Sequence, residues 1–117
     1  MKLLNKILFS LLIPFFLSSC GEQKTYFYLM THPQELQKTI KHCEESGSFD
    51  NPCEIARKAA NDFSEKSRVH DEDPEKFGQQ ILMLQQELAQ KNLSNEKVLE
   101  LSQQLDIMLA VVAVRTF

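Results

Sequence analysis

The first twenty residues constrain this chain most, because their pattern is typical of a segment that directs export and is then removed. Lys2 and Lys6 supply positive charge, residues 7–17 are almost wholly apolar, and small residues follow at once. An apolar run of about 11 residues reaches only about 16 Å as a helix, roughly half the hydrocarbon thickness of a bilayer. We therefore expect residues 1–19 to be a signal segment rather than a retained membrane anchor.

The segment ends in Leu17-Ser18-Ser19-Cys20, which resembles the lipobox of bacterial lipoproteins. The resemblance implies that Cys20 carries a thioether-linked diacylglycerol and becomes the first residue of the mature protein. Several acyl chains on one residue give durable anchoring, at about 0.8 kcal/mol per buried methylene. It also implies a lipid bilayer as partner and a periplasm-facing protein of the cell envelope, and Gly21 favours the outer membrane over the inner one.

Size and composition limit the mature part. Removal of residues 1–19 would leave 98 of the 117 residues and, by taking away Lys2 and Lys6, would move the net charge from −3 to −5. A chain of this length forms at most one small domain, which excludes a large enzyme. With 3 Gly, 4 Pro and no Trp, the composition favours an all-α fold. Sixteen acidic residues against 13 Lys and Arg leave no basic face for a nucleic acid.

Export also decides the chemistry of the cysteines, because the envelope outside the cytoplasm is oxidising. With Cys20 taken by lipid, Cys43 and Cys53 remain as the only possible disulfide pair. Zinc is the competing interpretation, since His32 and His42 lie nearby in sequence. A zinc site would need four convergent ligands, however, and the adjacent His42 and Cys43 point in different directions on a helix. We therefore favour the disulfide over a metal site.

Two helix starts place the cysteines on neighbouring helices within residues 32–67. His32-Pro33 predicts the start of the first helix, with His32 as its cap, and Asn51-Pro52 predicts the start of the second, with Asn51 as its cap. A disulfide between the two would clip an antiparallel helical hairpin near its bend. Closing a loop of about 11 residues would stabilise the hairpin by nearly 3 kcal/mol in the chain-entropy model.

Residues 20–31 are predicted to be a lipid tether followed by an aromatic segment. The aromatic residues of this segment are Tyr26, Phe27 and Tyr28. An extended chain from Cys20 keeps them within roughly 30 Å of the membrane surface. Two roles stay open for them. In the first, one or two of these aromatic residues pack into the hairpin core, on Leu36, Ile40 and Phe63. In the second, the remaining aromatic residue forms, with Leu29, a membrane-proximal contact for a partner.

Beyond Phe63 the sequence turns polar, and residues 68–73 are predicted to be an acidic linker. The triplet Asp71-Glu72-Asp73 lacks the alternating ligand positions and distal Glu of a calcium loop. A solvated linker is therefore favoured over a calcium site.

Residues 74–117 are predicted to form a second, amphipathic helical hairpin. Its first helix would begin after an Asp73 cap and run to about Asn92, and Ser94 would cap its second helix. The apolar stripes of both helices are expected to be core before interface, with coiled-coil self-association as the alternative. Residues 109–114 are apolar on all sides. A two-helix hairpin cannot fully bury such a run, so the first hairpin, a second copy or a membrane-embedded partner must cover it.

The order of motifs after the lipobox resembles that of EexN-type entry-exclusion lipoproteins of conjugative plasmids and related type IV secretion loci. The resemblance covers about residues 17–63 and runs from an aromatic pair through His32-Pro33 and a first cysteine to Pro52-Cys53 and an Ala-rich helix. It implies a lipoprotein of the recipient's envelope that blocks redundant transfer of the same element by contacting a component of the incoming type IV secretion apparatus. The motif residues that it suggests for this contact are Tyr26, Phe27, Tyr28, His32 and Pro33.

Two other functions stay open. One is a structural lipoprotein that stabilises a type IV secretion apparatus or the envelope itself. The other is an inhibitor of an exogenous hydrolase, which only the small exported disulfide scaffold favours. The sequence offers no Ser, His and Asp set, no Gly-rich phosphate loop and no paired carboxylates in an apolar setting. We therefore predict no catalytic residues, no cofactor, no metal and no small-molecule substrate.

Overall fold

The computed structural model describes residues 25–116, and this part of the chain folds into helices alone. The predicted all-α class is confirmed. The predicted signal segment 1–19 and the predicted lipidation site Cys20 lie outside the described residues. The helices of the described range are α1 (Tyr26–Thr31), α2 (Pro33–Ser46), α3 (Asn51–Glu72), α4 (Pro74–Leu88) and α5 (Asn95–Thr116).

The predicted aromatic segment forms helix α1 instead of the end of a tether. Thr25 caps this helix, because its Oγ1 accepts a hydrogen bond from the backbone N–H of Tyr28 at 3.1 Å. Leu29 is 1% exposed and Met30 is fully buried, so the predicted role of Leu29 as a partner contact is wrong. A helix of six residues is not stable alone. Packing of its apolar residues against α3 and α5 stabilises it.

The two predicted helix starts are present, and one of the two caps differs from the prediction. Helix α2 begins at Pro33 with His32 at the N-cap position, as predicted, although the His32 side chain makes no capping hydrogen bond. Helix α3 is capped by Asp50 rather than Asn51, since Asp50 Oδ1 accepts from the backbone N–H of Cys53 at 3.1 Å. A carboxylate there also suits the positive end of the helix dipole. Gly47, in the left-handed conformation at φ 63°, ends α2 and starts the connection.

Cys43 and Cys53 form the predicted disulfide between the last turns of α2 and the first turn of α3. Their Cα atoms are 5.8 Å apart, and both residues are buried. The bond occupies both sulfurs, which removes two of the ligands that the zinc interpretation required. Over residues 25–116 there is no group of three or more His, Cys, Asp or Glu side chains placed to hold a metal ion.

Helix α3 runs through the residues predicted to be an acidic linker. It continues to Glu72, so the predicted linker over 68–73 is wrong. His70 is buried at this end of the helix, with its ring 5.1 Å from the ring of Phe77 in an edge-on arrangement. Arg68 pairs with Glu72 one turn later on the exposed side. These contacts outweigh the polar composition that suggested a linker.

One hydrophobic core unites the two predicted hairpins. Its buried members come from all five described helices and are Leu29, Met30, Leu36, Ala56, Ala59, Phe63, Phe77 and Val111. Helix α1 contacts α2, α3 and α5, so the short helix lies between the first hairpin and the C-terminal helix. Residues 32–67 and 74–117 therefore do not form independently packed units.

Helices α4 and α5 pack along each other, and Leu101 on α5 is buried. The predicted caps are confirmed: Asp73 Oδ1 accepts from the N–H of Lys76 at 3.0 Å, and Ser94 Oγ accepts from that of Lys97 at 3.2 Å. Helix α4 ends at Leu88, earlier than predicted.

The apolar run 109–114 is covered only in part. Val111 is fully buried in the common core, whereas Leu109 is 44% and Val114 is 43% exposed. In the described residues, no helix combines the length and apolar character required to cross a bilayer.

Candidate functional site

A groove of about 690 Å³ opens between the junction of α1 with α2 and the C-terminal half of α5. Its lining residues are Tyr28, Thr31, His32, Pro33, Gln34, Glu35, Gln37, Ala110, Ala113 and Val114. The structure thus brings three of the five predicted contact residues, Tyr28, His32 and Pro33, to one place. Opposite them lies an apolar wall supplied by α5.

The pair His32-Pro33 forms the junction between helices α1 and α2. The backbone N–H of His32 donates to the carbonyl oxygen of Leu29 at 3.3 Å and closes α1. Pro33 then opens α2, where its missing N–H is not needed. The chain can therefore turn between two helices without leaving a buried backbone donor unpaired.

The His32 ring is held against α1 rather than capping α2. Its Nδ1 lies 2.7 Å from the carbonyl oxygen of Tyr28, and the two rings stack with centroids 4.0 Å apart and an interplanar angle of 15°. A carbonyl oxygen only accepts, so Nδ1 carries the proton and donates. In the neutral ring Nε2 is then the acceptor. The groove therefore has an oriented polar ring facing an apolar wall.

The α5 wall of the groove was missed by the sequence reasoning. The sequence indicated only that an apolar run over residues 109–114 must be packed against another surface, and this run includes Ala110, Ala113 and Val114. Their spacing of three and four residues places them on one face of a helix, which was the available signal. That this face lies opposite His32 depends on packing between residues far apart in the chain.

An ion pair attaches the end of this wall to α3. Arg115 donates from Nε to Asp71 Oδ1 at 3.0 Å and forms a second hydrogen bond to the other carboxylate oxygen. These bonds from Arg115, with a smaller contribution from His70, hold the pKa of Asp71 below its usual value. The bidentate geometry orients the last turn of α5, and with it the position of Val114.

The other two predicted contact residues, Tyr26 and Phe27, do not line the groove. The hydroxyl of Tyr26 donates to Asp62 Oδ2 at 2.5 Å, and Lys58 Nζ donates to the same oxygen at 2.8 Å while lying 4.8 Å from the centre of the Tyr26 ring. Phe27 is half-buried. Tyr26 therefore attaches α1 to α3, and its hydroxyl is engaged within the protein.

The same contacts shift the pKa values of both partners. Burial first, and the hydrogen bond to Asp62 next, raise the pKa of Tyr26 to about 12. The hydrogen bonds from Lys58 and then from Tyr26 lower the pKa of Asp62. The folded state thus favours a protonated phenol beside an ionised carboxylate.

We expect alkaline pH to weaken the fold through Tyr26. A phenol with an ordinary pKa of 10.0 that rises to about 12 on folding stabilises the folded state fully below about pH 10. This stabilisation is lost as the pH rises towards 12. Titration of phenolate absorbance should show a late transition, and Tyr26→Phe should remove it while Tyr28→Phe leaves it. A late transition that persists in Tyr26→Phe would show that the raised pKa does not belong to Tyr26.

Comparisons of this chain with protein-family models, curated proteins and solved structures found no match. Within residues 25–116, the candidate site is a groove in an all-helical, disulfide-linked fold that combines a histidine–tyrosine stack with an apolar helix face.

Proposed function

We propose that this chain is a lipid-anchored protein of the bacterial cell envelope that acts in entry exclusion. In this proposal Cys20 carries the lipid, and the protein faces the periplasm from the outer membrane. The groove binds a component of an incoming type IV secretion apparatus and so blocks redundant conjugative transfer. The proposed architecture is a lipid-anchored pair of helical hairpins, with α2 and α3 clipped by the disulfide and α4 and α5 joined to them through one common core.

The observation that carries the proposal is the position of the motif residues. Tyr28, His32 and Pro33 contribute to the resemblance with entry-exclusion lipoproteins, and all three line the same groove. Apolar surface with a few oriented polar groups is what a binding site for a protein segment requires. Because the His32 ring is stacked on Tyr28 and Pro33 opens α2, the three residues offer a partner a surface of fixed geometry.

The proposed lipid would place this groove close to the membrane. Tyr28 follows Cys20 by eight residues, so even a fully extended chain separates them by at most about 28 Å. A groove held at this height suits a partner that reaches the envelope surface. It would be out of reach for a partner that stays far from the bilayer.

The groove also supports a binding role over a reaction. Its lining offers one histidine and one carboxylate, Glu35, whose oxygen lies 3.7 Å from Lys38 Nζ. The lining has no serine or cysteine nucleophile beside the histidine. The imidazole is oriented by a backbone carbonyl and a stacked ring, which suits recognition.

A mating assay tests the proposal with the full chain expressed in the recipient. Wild type should lower uptake of the cognate element, and Cys20→Ser should abolish this effect. Val114→Asp puts a charge into the apolar wall of the groove, so exclusion should weaken at least about tenfold, the equivalent of 1.4 kcal/mol. Met83→Asp is the matched control, because Met83 is also an exposed apolar residue but lies outside the groove.

Two results would contradict the proposal. Full exclusion by a stably expressed Val114→Asp variant would remove the groove as the contact. Unchanged uptake with the wild-type chain, together with reduced export when the chain is deleted from a donor, would instead support the structural lipoprotein of a secretion apparatus.

A further inference from the structure

The two walls of the groove differ in their chemistry. The wall from α5 presents the methyl groups of Ala110, Ala113 and Val114. The wall from α1 and α2 presents two groups that accept hydrogen bonds, the Glu35 carboxylate and Nε2 of the neutral His32 ring. A ligand that uses both walls must therefore be apolar along its length and must donate hydrogen bonds from its end.

The charge of the groove selects the sign of this ligand. Among the described residues that line it, Glu35 is the only one with a formal charge, and that charge is negative. Glu35 pairs with Lys38 at 3.7 Å, but the side chain of Lys38 is 76% exposed, and such a pair contributes little. A carboxylate has two oxygens and accepts several hydrogen bonds, so it can receive a further donor beside this pair. The groove therefore favours a cation over an anion.

The helix dipoles at the groove are consistent with this sign. The wall from α5 belongs to the C-terminal turns of a 22-residue helix, where the last carbonyl groups form the negative end of the dipole. Arg115 in the last turn is already bound by Asp71. The positive end of α2 also borders the groove, but its first turn carries Glu35, which offsets it.

The stacked rings favour a planar cation. Tyr28 covers one face of the His32 ring, with the ring centroids 4.0 Å apart, and His32 is itself an exposed residue. A guanidinium group is planar, stacks on aromatic rings and donates several hydrogen bonds in one plane. The methylenes of an arginine side chain are apolar and suit a wall of small apolar residues. An arginine thus matches both walls, whereas the ammonium group of a lysine has no plane to stack.

We propose that the groove binds an arginine side chain of the partner protein, with its guanidinium group at His32 and Glu35 and its methylenes along the α5 wall. This inference rests on the proposed function, because it names the group that the partner inserts. The groove volume of about 690 Å³ also leaves room for the residues next to that arginine. The expected effect of Val114→Asp remains, since a carboxylate at this position would be desolvated against the methylenes.

Nuclear magnetic resonance of the full chain in phospholipid nanodiscs, labelled at its alanine methyl groups, tests this site. The probe is the peptide acetyl-alanyl-arginyl-alanine amide. It should shift the methyl signals of Ala110 and Ala113 and leave that of Ala89, which lies at the end of α4 outside the groove. The matched peptide with citrulline has the same shape without the charge. It should bind at least about fivefold more weakly, because charge-assisted hydrogen bonds are the stronger ones.

Two variants assign the binding to the groove. Glu35→Gln should weaken binding of the arginyl peptide at least about fivefold and reduce its advantage over the citrulline peptide. Glu45→Gln is the matched control, because it removes the same charge from the same helix at an exposed position outside the groove. It should leave binding within about twofold of wild type, and circular dichroism should show equal helix content in both variants.

Three results would each overturn the arginine site. These are no shift at Ala110 and Ala113, equal binding of the arginyl and citrulline peptides, and tighter binding of a peptide with glutamate at the same position. None of these measurements involves DNA transfer, so they separate this inference from the proposed function. Exclusion in the mating assay without peptide binding would remove only the arginine, and peptide binding without exclusion would remove only the function.

Discussion

Leu29→Ala is expected to destabilise the whole protein by about 2–5 kcal/mol, the range measured for leucine truncation in cores. Leu29 is 1% exposed and belongs to the same cluster as Phe63, Phe77 and Val111. The cavity would therefore lie where α1 meets the first hairpin and the C-terminal helix. Since domains of this size are stable by only about 5–15 kcal/mol, this is a large share of the total. Urea unfolding followed by circular dichroism measures the loss.

Leu99→Ala is the matched control for this prediction. Leu99 is 60% exposed on α5, so the same truncation there removes few contacts and should change the free energy of unfolding by less than about 1 kcal/mol. Equal effects of the two substitutions would mean that α1 is not part of the core. The residue would then be available for the membrane-proximal contact predicted from the sequence.

The double variant Cys43→Ala/Cys53→Ala is expected to lose about 3 kcal/mol of stability. The disulfide closes a loop with a sequence separation of 10, and in the chain-entropy model its removal releases the unfolded chain by that amount. Alanine is preferred to serine because both positions are buried, and an unpaired hydroxyl there would add a separate cost. The free energy of unfolding should fall while the helix content of the folded state stays nearly constant.

Reduction supplies the control for the disulfide. A reducing agent should lower the stability of the wild type towards that of the double variant and leave the double variant unchanged. A double variant as stable as the oxidised wild type would show that contacts of α2 with α3 and α1 suffice without the clip. The two predictions probe different ends of the first hairpin, so their effects should be roughly additive.

Local signals predicted much of the helical framework. Asp73 before Pro74 and Ser94 before α5 were predicted as caps and are caps, because a side-chain oxygen that accepts the free N–H groups of a first turn acts within four residues. The pairing of Cys43 with Cys53 followed from the oxidising compartment and from their positions near one bend. The cap of α3 was displaced by one residue, since Asp50 and Asn51 are both good caps and the sequence does not rank them.

The sequence predicted one side of the candidate site, the residues from α1 and α2, but not the wall that α5 supplies. Tyr28, His32 and Pro33 were recognised as motif residues, and all three line the groove. Tyr26 was grouped with them by sequence, but its hydroxyl bonds to Asp62, 36 residues away. Adjacent aromatic residues of a helix lie about 100° apart around its axis, so a cluster in sequence divides between two surfaces in space.

By itself, the sequence determined the all-helical class, the starts of helices α2 to α5 and the disulfide, because these depend on residues close together in the chain. Only the tertiary structure decided that residues 26–31 form a helix, that α3 continues to Glu72, and that α5 provides the second wall of the groove. Each of these depends on apolar contacts between distant segments, such as Leu29 with the core that Val111 completes. A six-residue helix and a polar stretch of chain lack enough local stabilisation to be helical alone, so burial against distant partners decides their structure.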